Sequence, residues 1–328
     1  MTHRHGLPMP VRCAIVATLA FASVVACAQT FPTRPIRILV PSTPGGSVDG
    51  LARLVGKHLA EKWGQQVVVD NRAGAGGIIA GELTAKASPD GHTLLMGTVA
   101  GLATNVSLNR NLPYDPVKDF APITLVASQQ LMLVASPVLA AESVADVIRL
   151  ARSKPGQLTF ASAGNGSGGH LSGELFRILT GIDIVHVPYK GVSPAMMDVI
   201  GGQVSMTFAS VISGTPHVRS GKLRALAVTG QRRSPALPEI PTMVESGVKG
   251  YESSTWYGLV APRGTPRPVV MRLHEEVVAL LRQPSIREKL LAEGAEPVGN
   301  TPEQFRAFIE TEIAKWGKII RAAGLTAS

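Results

Sequence analysis

The sequence predicts an α/β protein of two lobes, each a mixed, mostly parallel sheet covered by helices. Three observations predict it. The 328 residues exceed one ordinary core and suit two domains of roughly 100–200 residues each. Short apolar, β-branched runs alternate with runs of helical period along most of the chain. The alternation also stops at a Pro-rich connector, restarts, and after residue 254 resumes as strand before three closing helices.

The first 28 residues stand apart. Arg4 and Arg12 form a basic start, 13–26 is a short apolar stretch, and Ala26-Cys27-Ala28 is a small-residue cleavage site. This pattern predicts a bacterial exported, periplasmic protein beginning at Gln29. A second reading takes Val24 to Cys27 as a lipobox that would retain a lipidated Cys27. No later run reaches the ~18 apolar residues of a membrane span. Cys13 and Cys27 are the only cysteines, so a chain starting at Gln29 has no disulfide, thiolate metal cluster or cysteine nucleophile.

Beyond this segment, "PIRILVP" (35–41) reads as a buried strand and 47–64 as a helix with Val48, Leu51, Leu54, Val55 and Leu59 on one side. Strand 66–71, helix 77–87 and strand 92–97 complete a βαβαβ unit, which implies parallel pairing. The connector covers 112–123. A second unit follows: strand 131–136, helix 143–153, strand 158–162, helix 169–180, strand 182–187, helix 193–200, and strands 204–209 and 223–229. Strand 254–262 and helices 266–282, 284–293 and 301–323 close the chain. Leaving one α/β unit, building another and returning is the connectivity of a hinged receptor. It predicts lobes of 29–130 plus 251–328 and of 131–250, with a ligand cleft between them.

The formal charge is +9, and loss of residues 1–28 removes two arginines and no acid, leaving +7. The basic residues are scattered and aromatics are only 5%, which argues against nucleic acid and suits capture of small anions. Two glycine-rich loops stand at helix mouths: "PSTPGGSVDG" (41–50), with Ser47 or Asp49 in the first turn, and "SAGNGSGGH" (162–170). Each directs free N–H groups and a positive helix end at one spot, where an anion binds.

Nucleotide and hydrolase readings fare worse. Gly164, Gly166 and Gly169 spell G-x-G-x-x-G, yet His170 and Leu171 replace the Lys-Ser/Thr of a phosphate loop. Asp183 begins its strand where a ribose-binding acid should end it. Ser167, His170 and Glu174 share a helix face, but G-x-S-x-G is absent and Gly191 to Ala195 is a near miss. The simpler reading is that Ser167 caps the helix and the other two are polar residues near its start.

Many motifs then occur in one order: "FPTRPIRILVPSTPGGSVDGLAR", "NRAGAGGIIA", "SPDGHTLLMG", "NLPYDPVKDFAPI", "KPGQLTFASAGNGSGGHLSGELF", "VPYKG", "GKLRALAVT", "LPEIPTMVESG" and "WYGLVAPRGTP". Across residues 31–325 the chain resembles the Bug-type periplasmic receptors of tripartite tricarboxylate transporters. The resemblance implies a Venus-flytrap receptor that holds a small organic carboxylate between its lobes and delivers it to inner-membrane transporter subunits. It implies no enzyme activity, cofactor or metal, and a monomer. Its ligand loops map to Pro44, Gly45, Gly46, Ser47 and Asp49, and to Ser162, Ala163, Gly164, Asn165, Gly166, Ser167 and His170. Thr98, Asn105 and Tyr189 complete the implied cleft, although Tyr189 equally suits a turn beside Pro188. Trp256 suits either the core or the cleft. Ser205 departs from the acid usual in the family, and "AGLATN" lies in a variable region. A sensor for a signalling partner, or an α/β enzyme, is the alternative, and the solute is not legible.

Overall fold

The computed structural model describes residues 1–2, 31–322 and 324–325. The export signal expected over 1–28 therefore lies almost wholly outside the described residues.

Strand β1 (Ile36–Val40) is followed by α1 (Ser47–Trp63), β2 (Val67–Asn71), α2 (Ile78–Ala85) and β3 (Thr93–Thr98). β1 lies between β2 and β3 and pairs with both in parallel. It is covered on both faces, so Ile36, Ile38, Leu39 and Val40 are all buried. A helical stretch over 100–108 ends in α3 (Asn105–Leu108), where the sequence shows no periodic signal. Its residues Ala100, Leu102, Ala103, Thr104, Asn105 and Leu108 are buried, polar and apolar together, so no amphipathic stripe marks it.

The connector expected over 112–123 turns into strand at Phe120, the start of the 16-residue β4 (Phe120–Ala135). Pro122 is tolerated there because it adjoins a register shift in the ladder. Next come α4 (Val144–Ser153), β5 (Thr159–Ser162), α5 (Gly168–Thr180), β6 (Val185–Pro188), α6 (Val192–Ile200), β7 (Met206–Ser210), α7 (Val211–Arg219) and β8 (Arg224–Val228). The chain closes with β9 (Ser254–Pro262), α8 (Arg267–Arg282), α9 (Pro284–Ala292), β10 (Ala295–Pro297) and α10 (Pro302–Ala322).

β4 is shared by two sheet regions. Residues 120–130 pair antiparallel with β9, which itself pairs antiparallel with β3. Residues 131–135 pair antiparallel with β7, and 132–135 also with β8. β5 then lies between β6 and β7, parallel to both. The sheet is mixed, as expected, but parallel pairing is confined to its outer strands. The pairs made by β4 and β9 are antiparallel because these strands carry the chain out and back without a crossover helix.

One core gathers Leu39, Leu95, Phe120, Trp256, Phe305 and Trp316, another Leu133, Phe160, Phe176, Phe208 and Tyr251. Trp256 belongs to the first. Its Nε1–H donates to Glu312 Oε2 at 2.8 Å, and Trp316 Nε1–H donates to the same oxygen at 2.8 Å. Among the described residues, no helix is long and apolar enough to cross a membrane.

Candidate functional site

The first glycine loop is held from behind by Asp49. Its Oδ2 accepts the Gly45 N–H at 3.0 Å and Arg53 Nε–H at 3.0 Å, while Oδ1 accepts Asn71 Nδ2–H at 3.0 Å. Burial pushes the Asp49 pKa up, but these hydrogen bonds outweigh it and hold the carboxyl below its ordinary value. Gly46 precedes α1 in extended conformation with no side chain capping the helix, so the first-turn N–H groups stay open. Ser47 is buried, its Oγ 2.5 Å from Ser210 Oγ and 3.1 Å from Ser213 Oγ. Ser210 in turn caps α7 by accepting the Ser213 N–H.

The second loop is knitted together by two histidines. Gly166 N–H donates to His170 Nδ1 at 3.0 Å, Ser167 Oγ accepts the His170 N–H at 3.3 Å, and Ser162 Oγ is 2.6 Å from His186 Nε2. The two imidazoles stack with centroids 4.0 Å apart. Burial, helped by the Arg177 charge, lowers the His170 pKa to about 4; burial, helped by His170, lowers that of His186 to about 3. Both rings are therefore neutral at neutral pH. The 3.9 Å approach of His170 Nε2 to Glu174 is then no ion pair, since Glu174 is paired with Arg177 at 2.8 Å.

The loop also meets the 74–108 segment closely. Gly166 has φ +74°, and a Cβ there would lie 2.5 Å from Thr104 Oγ1. Thr104 Oγ1–H donates to the Gly166 carbonyl at 2.8 Å, and Asn105 Nδ2–H donates to the Gly76 carbonyl at 3.0 Å. Gly76, φ +60°, leaves no room for a Cβ, which would sit 2.7 Å from the Asn165 carbonyl. Ser193 Oγ–H donates to the Pro44 carbonyl at 3.1 Å.

Between these loops is a cavity of about 80 Å³. Of the expected residues, Gly46, Ser47, Thr98, Ala163 and Ser167 line it. Pro44, Gly45, Asp49, Ser162, Gly164, Asn165, Gly166, His170 and Asn105 do not line it, and Pro44, Gly45 and Asn165 are exposed, while Tyr189, half-buried, donates to Asp198 and packs against the core beside α6. Sequence reasoning missed Ser42, within the first loop itself, and Thr207, Ser210, Thr255 and Tyr257, which line the cavity from other strands and a third helix mouth. Their signal is weak: Thr255 and Tyr257 alternate with the core residue Trp256, a strand pattern, but nothing local says which face meets a ligand. His186 was likewise hidden, since only the fold brings it to Ser162.

Every side chain on the cavity wall is uncharged. The mouths of α1, α5 and α7 and a set of hydroxyls supply donors without a single cation. Such a wall attracts one or two negative charges by dipoles and N–H groups, and it places no base beside a nucleophile.

Residues 51–325 match the tripartite tricarboxylate transporter family receptor. Protein BugT of Bordetella pertussis is 40% identical over 310 residues, 94% of this chain and 95% of that protein. An adipate-bound protein of R. palustris superposes with a TM-score of 0.88 at 42% identity, covering 90% of this chain and 98% of that one. MatC of Rhodopseudomonas palustris with bound malate gives a TM-score of 0.84 at 33% identity, covering 88% and 100%.

Proposed function

This chain belongs to the tripartite tricarboxylate transporter receptor family, and we propose that it is a periplasmic solute receptor that binds a small organic carboxylate and hands it to the membrane subunits of such a transporter. The observation that carries this is the uncharged cavity into which three helix mouths open. Adipate in one relative and malate in another support the ligand class. Binding leaves the acid unchanged, because the wall offers donors but no base, nucleophile or metal ligand set. Mass spectrometry of the compound that co-purifies with the protein, followed by calorimetry, tests the reading. A carboxylic acid that binds on re-addition supports it; a bound non-acid overturns it.

The two lobes of this reading are 29–130 plus 251–328 and 131–250, joined through β4 and β9. The ligand set comprises Pro44 to Ser47 and Asp49, Ser162 to Ser167, His170, Thr98, Asn105 and Tyr189, with Asp49, His170 and Tyr189 acting through the loops they hold. Support comes from hydrogen bonds that join the two sets, Thr104 to Gly166, Ser193 to Pro44 and Ser47 to Ser210, as a closed receptor requires. Ligand should compact the protein in small-angle scattering. Export should leave a chain starting at Gln29, read by intact mass, and a diacylglyceryl-modified Cys27 would establish the lipoprotein form instead.

A further inference from the structure

Strand β9 sends alternate residues to opposite sides. Trp256 enters the core, whereas Thr255 and Tyr257 line the cavity. Thr255 lies against the mouth of α5: a Cβ on Gly168 would be 2.8 Å from its Cβ. Behind Tyr257 is Gln129 of β4, 3% exposed, whose Nε2–H donates to Tyr257 Oη at 2.8 Å. A phenol has one proton to give. With Gln129 filling an acceptor site of Oη, that proton is directed to the other side of the phenol, where Ser47 and Thr255, both on the cavity wall, are its hydrogen-bond partners and where a ligand acceptor would join them.

Some of the other wall hydroxyls are engaged with protein groups. Ser47 is engaged with Ser210 and Ser213, Thr207 Oγ1–H donates to the Ala161 carbonyl, and Ser167 receives the His170 N–H. Burial pushes the Tyr257 pKa up to about 12, so the phenol keeps its proton at any physiological pH.

We infer that Tyr257 is a specificity-determining residue of this receptor: aimed by Gln129, its hydroxyl donates a hydrogen bond to the bound acid and requires an acceptor oxygen at that point of the ligand. Gln129 is the positioning residue. The inference rests on the carboxylate reading above, and it concerns which side chain enforces that choice. A buried donor left without an acceptor disfavours any analogue lacking the oxygen far more than a lost methylene would.

The test is calorimetric titration of the protein and its variants with adipate and with malate, alongside unliganded melting curves. If the unaltered protein binds neither acid and no other carboxylate, the carboxylate reading fails, and this inference with it. If it binds, Tyr257→Phe should raise Kd roughly 10- to 100-fold, the effect of removing a hydrogen bond to a charged group. Gln129→Leu alone should cost less, because the phenol can still turn to the ligand. In the Tyr257→Phe background, Gln129→Leu should cost nothing further in affinity. That double variant removes both polar partners at once and so leaves no orphaned amide, which keeps the test available if the single variant folds poorly. A Kd for Tyr257→Phe within threefold of the unaltered protein overturns the role of Tyr257. Equal losses from Gln129→Leu in both backgrounds overturn the positioning role of Gln129.

Discussion

Replacing Gly166 by alanine should weaken ligand binding by far more than it weakens the fold. At φ +74° an alanine is strained by about 1 kcal/mol in any state of the protein. The added Cβ would also lie 2.5 Å from Thr104 Oγ1 and 2.8 Å from Leu108 Cδ1, on the 100–108 helix that meets this loop. Thr104 can move only by giving up its 2.8 Å bond to the Gly166 carbonyl, worth about 0.5–1.5 kcal/mol. Overpacking against Leu108 adds about 1–3 kcal/mol. Only the closed form bears these last two costs, so about 1.5–4.5 kcal/mol of binding energy is lost, at least about tenfold in Kd. Gly181 supplies the control, with φ +64° and nothing within 4 Å of its would-be Cβ. Gly181→Ala should show the same small loss of stability and an unchanged Kd. Calorimetry with adipate and malate on both variants reads the difference. A Gly166→Ala protein that binds as tightly as Gly181→Ala would refute the closure argument.

Acid should destabilise the protein through its buried histidines. With folded pKa values of about 4 for His170 and about 3 for His186 against an ordinary 6.5, the unfolded chain binds more protons between those limits. Stability is therefore complete above about pH 6.5, falls as pH drops through that window, and the His170 share is on the order of 3 kcal/mol. Urea midpoints that stay level or rise between pH 7.5 and 4.5 would contradict this. Glu312→Leu should leave the indole N–H groups of Trp256 and Trp316 unpaired, costing about 2–5 kcal/mol, while Glu312→Gln keeps an acceptor and loses less. Melting curves check it at about 2–4 °C per kcal/mol. Because no carboxylate lines the cavity, an ammonium group has no charged partner there, and succinate should bind at least about tenfold more tightly than aspartate in competition calorimetry.

Much of the α/β order was legible because buried strands and amphipathic helices leave periodic traces. The traces fail where burial is uniform or polar. The 100–108 helix buries Thr104 and Asn105 with its apolar residues and exposes Val106, and the first residues of β4 carry Pro122, a mark of a connector. Within the site, the glycine loops were readable since a helix mouth is a local feature. Their neighbours were not: Tyr257 reaches the cavity through antiparallel pairing of β9 with β4, and His186 reaches Ser162 through parallel pairing of β6 with β5. Both are long-range pairings, and no local spacing encodes them. Asp49 shows the converse, since its position near a helix start suggests ligand contact while its bonds go to Gly45 of its own loop, Arg53 of its own helix and Asn71 at the end of β2.

The central claim is that the cavity reads a carboxylate as such. A helix terminus contributes about 0.3–1 kcal/mol to an anion at an exposed site and up to about 2 kcal/mol when partly buried, so converging termini separate an acid from its amide. At 100 times its Kd a ligand stabilises the folded state by about 2.7 kcal/mol, a shift of several degrees in Tm. The decisive measurement is a melting screen of the protein against dicarboxylic, tricarboxylic and aromatic acids, each paired with its neutral amide. At least one acid should raise Tm by several degrees and its amide by far less. Equal shifts for acid and amide, or stabilisation by a nicotinamide dinucleotide and by no acid, would contradict the account.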